Sequence, residues 1–205
     1  MITNLKEIIE KEILAISQIP LSEEYDRAIE LILSKVHQKK GKLVCSGMGK
    51  AGQIASNIAT TFSSTGTPAC FLHPSEAQHG DLGILRENDL MLLISNSGKT
   101  REILELVRLS RQLIPDMRFI VITSNEKSEL ANCSDICLLT GNPPEVCALG
   151  LAPTTSTTVM TVIGDLLVVE TMKRIGFTVA DYAKRHHGGY LGAVSKSQSE
   201  MSQFV

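Results

Sequence analysis

Three short segments of the chain gather groups able to hold an anion. Gly47-Met48-Gly49-Lys50 combines two glycines with a lysine. Glycines let backbone N–H groups approach a ligand closely, and a helix starting there adds its positive N-terminus. The segment lacks the third glycine of a dinucleotide fingerprint, no acidic residue closes a second strand about 20 residues on, and it is not a P-loop. Alone it reads as a ligand loop or as a tight turn. Ser95-Asn96-Ser97-Gly98-Lys99-Thr100 places three hydroxyls and one amide ahead of a helix. That density suits a phosphate monoester, which takes many donors at close range. A plain helix cap would need one hydroxyl. Thr154-Thr155-Ser156-Thr157-Thr158 is a third hydroxyl run, which either caps a helix or lines the same site.

Parallel β/α units are the elements that would position such loops. Short β runs are expected at Lys42 to Ser46, Pro68 to Leu72, Leu90 to Ile94, Phe119 to Thr123 and Ile136 to Leu139, with helical patterns between most of them. Ile54, Ile58 and Phe62 fall on one helical stripe; Arg101 to Gln112 and Ser128 to Cys133 are further helices. Strands alternating with helices mean crossover connections and a parallel sheet, so the fold class is α/β with a five-stranded, flavodoxin-like, doubly wound layer. In such a sheet ligands sit beyond the carboxyl ends of the strands, where the first two loops lie. Two amphipathic helices precede the sheet. Asn4 to Ser17 carries Leu5, Ile8, Ile9, Ile13 and Ile16 on one stripe, with Asn4 and Glu7 at capping-box spacing. Ser22 caps the second, with Tyr25, Ala28, Ile29, Ile32 and Val36 inward and Gly41 as its stop. After the last strand come a loop from Thr140 to Pro153, a helix from Thr154 to Arg174 stopped by Gly176, and a short helix from Val179 to Arg185. The tail from Ser195 is polar and expected to fray.

Composition narrows the function classes. The 205 residues are enough for one domain with a full core, and no repeat or second domain is visible. A net charge of −2 argues against nucleic-acid binding, and 4% aromatics with no Trp argues against base stacking. No apolar run reaches membrane-spanning length. The most apolar, Val159 to Val169, is broken by Thr161, Gly164 and Asp165 and reads as a buried helix. The start, rich in Lys and Glu, has no signal-peptide core, and five cysteines without a CxxC make no disulfide framework, so cytoplasm is the expected compartment. Cys133 and Cys137 read as core packing, and Glu105 with Arg108 as a solvated helix face.

The order of these loops resembles that of the sugar isomerase (SIS) domain. Longer strings sharpen the likeness: Gly47-Met48-Gly49-Lys50, Ser64-Thr65-Gly66-Thr67-Pro68, His73-Pro74-Ser75-Glu76-Ala77-Gln78-His79-Gly80-Asp81-Leu82-Gly83, Ser95-Asn96-Ser97-Gly98, Leu149-Gly150-Leu151-Ala152-Pro153-Thr154 and His186-His187-Gly188-Gly189. Together they resemble the arabinose-5-phosphate isomerase family, which interconverts ribulose 5-phosphate and arabinose 5-phosphate for Kdo synthesis. The resemblance implies one SIS domain over residues 1–192 with a polar tail over 193–205; many members of the family also carry a C-terminal pair of CBS modules, and the chain is expected to correspond to the SIS domain alone. It implies site roles for Lys50, His79, Glu102, Glu145 and His186. Three departures stand out: Ala51 replaces the family's usual serine, Lys99 an acidic residue and His187 a proline, which leaves two adjacent histidines for one role.

Aldose–ketose isomerisation moves a proton between C1 and C2 of the open-chain sugar. It needs a base, a proton shuttle between O1 and O2, and a group that stabilises the enediolate; no metal or organic cofactor is expected. The expected assignments are Glu145 as base, its pKa raised by a Pro-rich loop over an apolar helix, His186 as shuttle and Lys50 on the enediolate oxygen. Glu102 and His79 are further catalytic candidates, although the first could only complement a helix N-terminus and the second could only support a turn. Gly47, Gly49, Ser95, Asn96, Ser97, Thr100, Thr154 and Thr155 are the expected substrate-binding residues. A non-catalytic phosphosugar-sensing module would need the phosphate loop alone, and an isomerase or epimerase of another sugar phosphate would share the phosphate site and differ in the sugar contacts. Lys50, Lys99, Arg185, His186 and His187 would make a cationic mouth attractive to anionic products. The expected partners are a sugar phosphate and further copies of the chain in a tetramer, because the apolar stripes exceed what one sheet face covers.

Overall fold

The computed structural model describes residues 2–201. Its elements are α1 (Ile2–Ser17), α2 (Glu23–Ile32, continued by a π-helical segment Leu33–Gln38), β1 (Leu43–Gly47), α3 (Gly49–Ser64), β2 (Ala69–Phe71), α4 (Pro74–Ala77), a 3₁₀ turn (Asp81–Ile84), β3 (Leu90–Ile94), α5 (Arg101–Leu113), β4 (Arg118–Thr123), α6 (Glu129–Asn132), β5 (Ile136–Leu139), α7 (Thr155–Arg174), α8 (Val179–Ala183) and α9 (Gly189–Met201). The five strands form one parallel sheet in the order β2-β1-β3-β4-β5. This is the flavodoxin-like order, and the chain direction across the sheet reverses between β1 and β3. All five expected strands are present, displaced by at most one residue at either end.

Alternation along the central strands divides the core in two. Leu43, Cys45, Leu90, Leu92, Ile94, Ile120 and Ile122 point to the layer formed by α1, α2, α3 and α7. Val44, Met91, Leu93, Phe119 and Val121 point to the layer of α4, α5 and α6. A strand's period of two sends successive side chains to opposite faces, so a strand covered on both sides reads as a continuous apolar run. Asp89, 1% exposed, ties the entry of β3 to β1: its carboxylate accepts the backbone N–H groups of Lys42 and Arg86 and pairs with Lys42 Nζ at 2.5 Å.

Several local expectations change. Helix α1 starts at Ile2, ahead of Asn4, so Asn4 and Glu7 lie inside it and form no capping box. Most of its apolar stripe is not buried in this chain: Leu5, Ile8, Ile9 and Ile13, like neighbouring Leu14, are 40–60% exposed, whereas Ile16 packs against the core beside Ala15 and Ile19. Ser22 does cap α2, accepting the N–H of Glu24. The left-handed residue after the π segment is Lys40 (φ 61°), not Gly41. Gly41 is needed for a different reason, since a Cβ there would lie 2.1 Å from the Asn88 carbonyl oxygen. Leu166 and Val169 of α7 are 40% and 50% exposed, so that helix is buried on one side only. The polar tail is helical as α9 through Met201; the rest of the expected frayed segment lies outside the described residues.

Candidate functional site

The carboxyl ends of β1 and β3, at the reversal point, open into a cavity of about 780 Å³. Three helix N-termini line it: α3 through Met48, Lys50 and Ala51, α5 through Thr100, and α7 through Pro153, Ser156 and Thr157. Each terminus presents backbone N–H groups and a partial positive charge. The caps of α3, α5 and α7, which are Met48, Thr100 and Thr154, make no side-chain capping hydrogen bond to their own helix. The simple N-cap reading of the Ser95–Thr100 segment is therefore not what is found.

That segment is braced from within. Ser95, 2% exposed, bonds Thr100 Oγ1 at 2.7 Å and accepts the N–H of Gly98 at 3.2 Å. Ser97 Oγ accepts the N–H of Lys99, and the Asn96 carbonyl accepts Thr123 Oγ1 and the N–H and hydroxyl of Ser124. Gly98 has φ +63°, and a Cβ would lie 2.1 Å from Ser128 Oγ, so no other residue fits. The loop thus surrounds the start of α5 with hydroxyl and amide groups at fixed positions. Gly47 and Gly49 shape the first loop without lining the cavity. A Cβ on Gly47 would meet the Ala51 backbone at 2.7 Å, and Gly49 has φ +57°.

Glu145 lines the same cavity from the loop before α7, and its carboxylate occupies the α7 N-terminus. Oε2 accepts Thr154 N–H at 2.7 Å, Thr154 Oγ1 at 2.9 Å and Ser156 N–H at 3.3 Å, and Oε1 accepts the Ser156 hydroxyl. Burial by itself would raise the Glu145 pKa. The hydrogen bonds from Ser156 and Thr154 outweigh that, and hold it below the ordinary carboxylate value. The expectation of a raised pKa is corrected on this point: the Pro-rich loop delivers the carboxylate to donors, not to an apolar wall. Next to it, Cys147 Sγ accepts the N–H groups of Leu151 and Ala152 at 3.2 Å each, and folds the Leu149–Ala152 turn that carries Gly150 and Leu151 into the cavity wall.

Of the expected site residues, Lys50, Ser95, Asn96, Ser97, Thr100 and Glu145 line this one cavity. Thr154 does not line it and is spent on Glu145. Thr155, also outside the lining, is 1% exposed and bonds Glu12 and the Val146 N–H. Glu102 sits in the first turn of α5, half-buried, and His79 is exposed beside Gly80; neither lines the cavity. His186 follows α8, its ring stacked on Tyr182 with centroids 3.6 Å apart and its Nδ1 3.0 Å from the Tyr182 carbonyl oxygen. It lies outside the cavity of its own chain, and His187 is exposed. Lys99 lines a neighbouring cavity with Lys127, so the expected cationic mouth is split. Ala51 puts a methyl group in the wall. Ser156 and Thr157 of the third hydroxyl run also line the cavity, as do Ser124 and Asn142, which were not expected from sequence. Ser124 had a readable signal, since it follows β4 as Ser95 follows β3.

Residues 35–170 match the family model of the SIS domain. Arabinose 5-phosphate isomerase KdsD of Yersinia pestis is 49% identical over 185 residues, covering 90% of this chain and 54% of that protein. The protein of the same name from Escherichia coli (strain K12) is 44% identical, covering 89% and 56%. The chain spans about half the length of these curated relatives. Among solved structures, a candidate phosphosugar isomerase involved in capsule formation from Bacteroides fragilis NCTC 9343 is 67% identical, with a TM-score of 0.92 and coverage of 93% of this chain and 99% of that one. A protein of Escherichia coli CFT073, solved in complex with arabinose 5-phosphate, is 38% identical, with a TM-score of 0.81 and coverage of 88% and 94%.

Proposed function

The chain belongs to the SIS domain family, and from that premise we propose that it interconverts D-ribulose 5-phosphate and D-arabinose 5-phosphate through an enediolate. One observation carries this reading: a phosphate-type loop at the start of α5, a lysine and a carboxylate share a single cavity at the sheet's reversal point. The relative solved with arabinose 5-phosphate, 38% identical over nearly its whole length, supports the choice of sugar.

The substrate phosphate sits on the N-terminus of α5, against Ser97, Thr100 and Asn96. Its binding energy fixes the reacting carbons, which is where much of a rate enhancement arises. Glu145 takes the proton from C1 or C2 through Oε1, the oxygen with the single hydrogen bond. A carboxylate with a lowered pKa is a weaker base but is fully ionised at neutral pH. The enediolate must then be stabilised well, by Lys50 and the first-turn N–H groups of α3. His186 shuttles the hydroxyl protons from a neighbouring copy, consistent with its place outside its own chain's cavity. His79 and Glu102 act from outside that cavity. The proton-transfer chemistry requires no metal or organic cofactor.

The same reading makes the protein a homotetramer, supported by the uncovered stripe of α1 and the exposed Leu166 and Val169. It takes residues 1–192 as the SIS unit and supplies arabinose 5-phosphate for Kdo and thence for lipopolysaccharide or capsule, in the cytoplasm. Among the described residues no helix is long and apolar enough to cross a membrane. Incubating the purified protein with D-ribulose 5-phosphate and identifying the product by NMR tests the activity. D-Arabinose 5-phosphate is expected. Binding without turnover would favour the sensing module, which needs the phosphate loop but neither Glu145 nor His186.

A further inference from the structure

The loop bearing Glu145 is held from two sides. On one, Thr154 and Ser156 grip the carboxylate. On the other, the residue between them, Thr155, grips the backbone. Thr155 Oγ1 accepts the N–H of Val146, the residue after Glu145, at 3.2 Å, and donates its single proton to Glu12 Oε1 at 2.9 Å. Glu12 belongs to α1, 143 residues away in sequence. By taking the hydroxyl proton, Glu12 leaves the Thr155 lone pairs for Val146.

Glu12 is a costly residue for this place. Its Oε2 is buried and has no hydrogen-bond partner among the described residues. A buried acceptor left without a partner is destabilising. An aliphatic side chain would fill the space without that penalty, so packing alone does not account for a carboxylate. Resting on the isomerase reading, we propose that Glu12 is a positioning residue, holding α1 to Thr155 and so fixing the backbone at Val146 that aims the Glu145 carboxylate. Pinned at its backbone by this anchor and at its tip by α7, the side chain is restricted to one approach to the cavity. Helix α1, whose outer face is uncovered in the single chain, becomes part of the catalytic scaffold.

The test compares Glu12→Gln, Glu12→Leu and Thr155→Val in the full chain, each alone and with Glu145→Gln. The readouts are kcat, KM and amide exchange at Val146. Glutamine keeps an acceptor oxygen, so Glu12→Gln should stay within about twofold of the parent. Glu12→Leu and Thr155→Val should lower kcat by about 10-fold with KM little changed, an ångström of misplacement being worth up to 10²-fold. Exchange at the Val146 amide should rise about 10-fold in both and stay at the parent level in Glu12→Gln. In the Glu145→Gln background Glu12→Leu should lower residual kcat no further, because its effect passes through Glu145. Equal losses in the two backgrounds, or parent-like Val146 exchange in Glu12→Leu, would overturn the proposal. Should Thr155→Val not fold, the two Glu12 variants decide alone. Should the parent protein itself show no turnover, the isomerase reading fails, while Val146 exchange still judges the anchor.

Discussion

Replacing Glu145 by glutamine separates its two roles. The side chain keeps its shape and loses its charge. In the native protein the carboxylate receives two backbone N–H groups and two hydroxyls at the start of α7. A charge-assisted hydrogen bond is roughly twice as strong as a neutral one of about 1 kcal/mol. The Ser156 hydroxyl and the Thr154 N–H, the latter at 2.7 Å, are the bonds with most to lose, about 1 kcal/mol each. Losing the negative charge at the helix N-terminus adds about 0.5 kcal/mol. The variant should therefore be about 2–3 kcal/mol less stable, a drop in Tm of roughly 5–10 °C for a chain of this size. The pH dependence has a definite sign. A carboxyl whose pKa is depressed by folding contributes stability above its unfolded value, near 4.3, and loses it as pH falls through the lower folded value. Parent and Glu145→Gln melting curves should differ most at neutral pH and converge on the acid side. Turnover should fall by at least ~10²-fold while the substrate still binds. Calorimetry from pH 3 to 7 reads the first effect, and an isomerase assay at 25 °C reads the second. A constant Tm difference across that pH range would refute the carboxylate's role at the α7 N-terminus. Near-normal turnover would remove Glu145 as the base, whatever the stability.

Further expectations bear on the phosphate loop, the assembly and the shared site. Ser97→Ala and Thr100→Ala should raise KM more than they lower kcat, since phosphate contacts bind ground and transition states alike, and the unphosphorylated sugar should be a very poor substrate; equal reactivity would count against the loop's role. Charged residues at Ile9 and Ile13, 58% and 60% exposed in the single chain, should break the oligomer in light scattering while leaving the sheet's circular dichroism intact, and a parent protein that is already monomeric would contradict the proposed tetramer. Mixing inactive Glu145→Gln and inactive His186→Ala subunits should restore part of the activity if His186 serves a neighbour's cavity, and no recovery after verified subunit exchange would confine it to its own chain.

The strands and the two ligand loops were legible in the sequence because their signals are local. β1, β3 and β4 are apolar runs covered on both faces, and the hydroxyl-rich and Gly-Lys segments follow β3 and β1 directly, so the parallel α/β reading already placed both at the carboxyl edge. Gly176, read as the stop of the long helix and found at φ +63°, was legible in the same way, because backbone conformation depends on a few neighbouring residues. What tertiary structure decided was which groups meet. The period of α1 identified an apolar stripe, but a period cannot say what covers it, and in the single chain it faces outward. From sequence, Glu145 belongs in an apolar setting with a raised pKa. Its pKa is lowered because donors nine and eleven residues along the chain, Thr154 and Ser156, fold back onto it. Thr155 reads as a substrate contact from its type and its place in a hydroxyl run, yet it bonds a glutamate 143 residues away. A side chain's charge state and partners depend on the balance between desolvation and the donors brought within about 3 Å, and that balance exists only once distant segments have packed together.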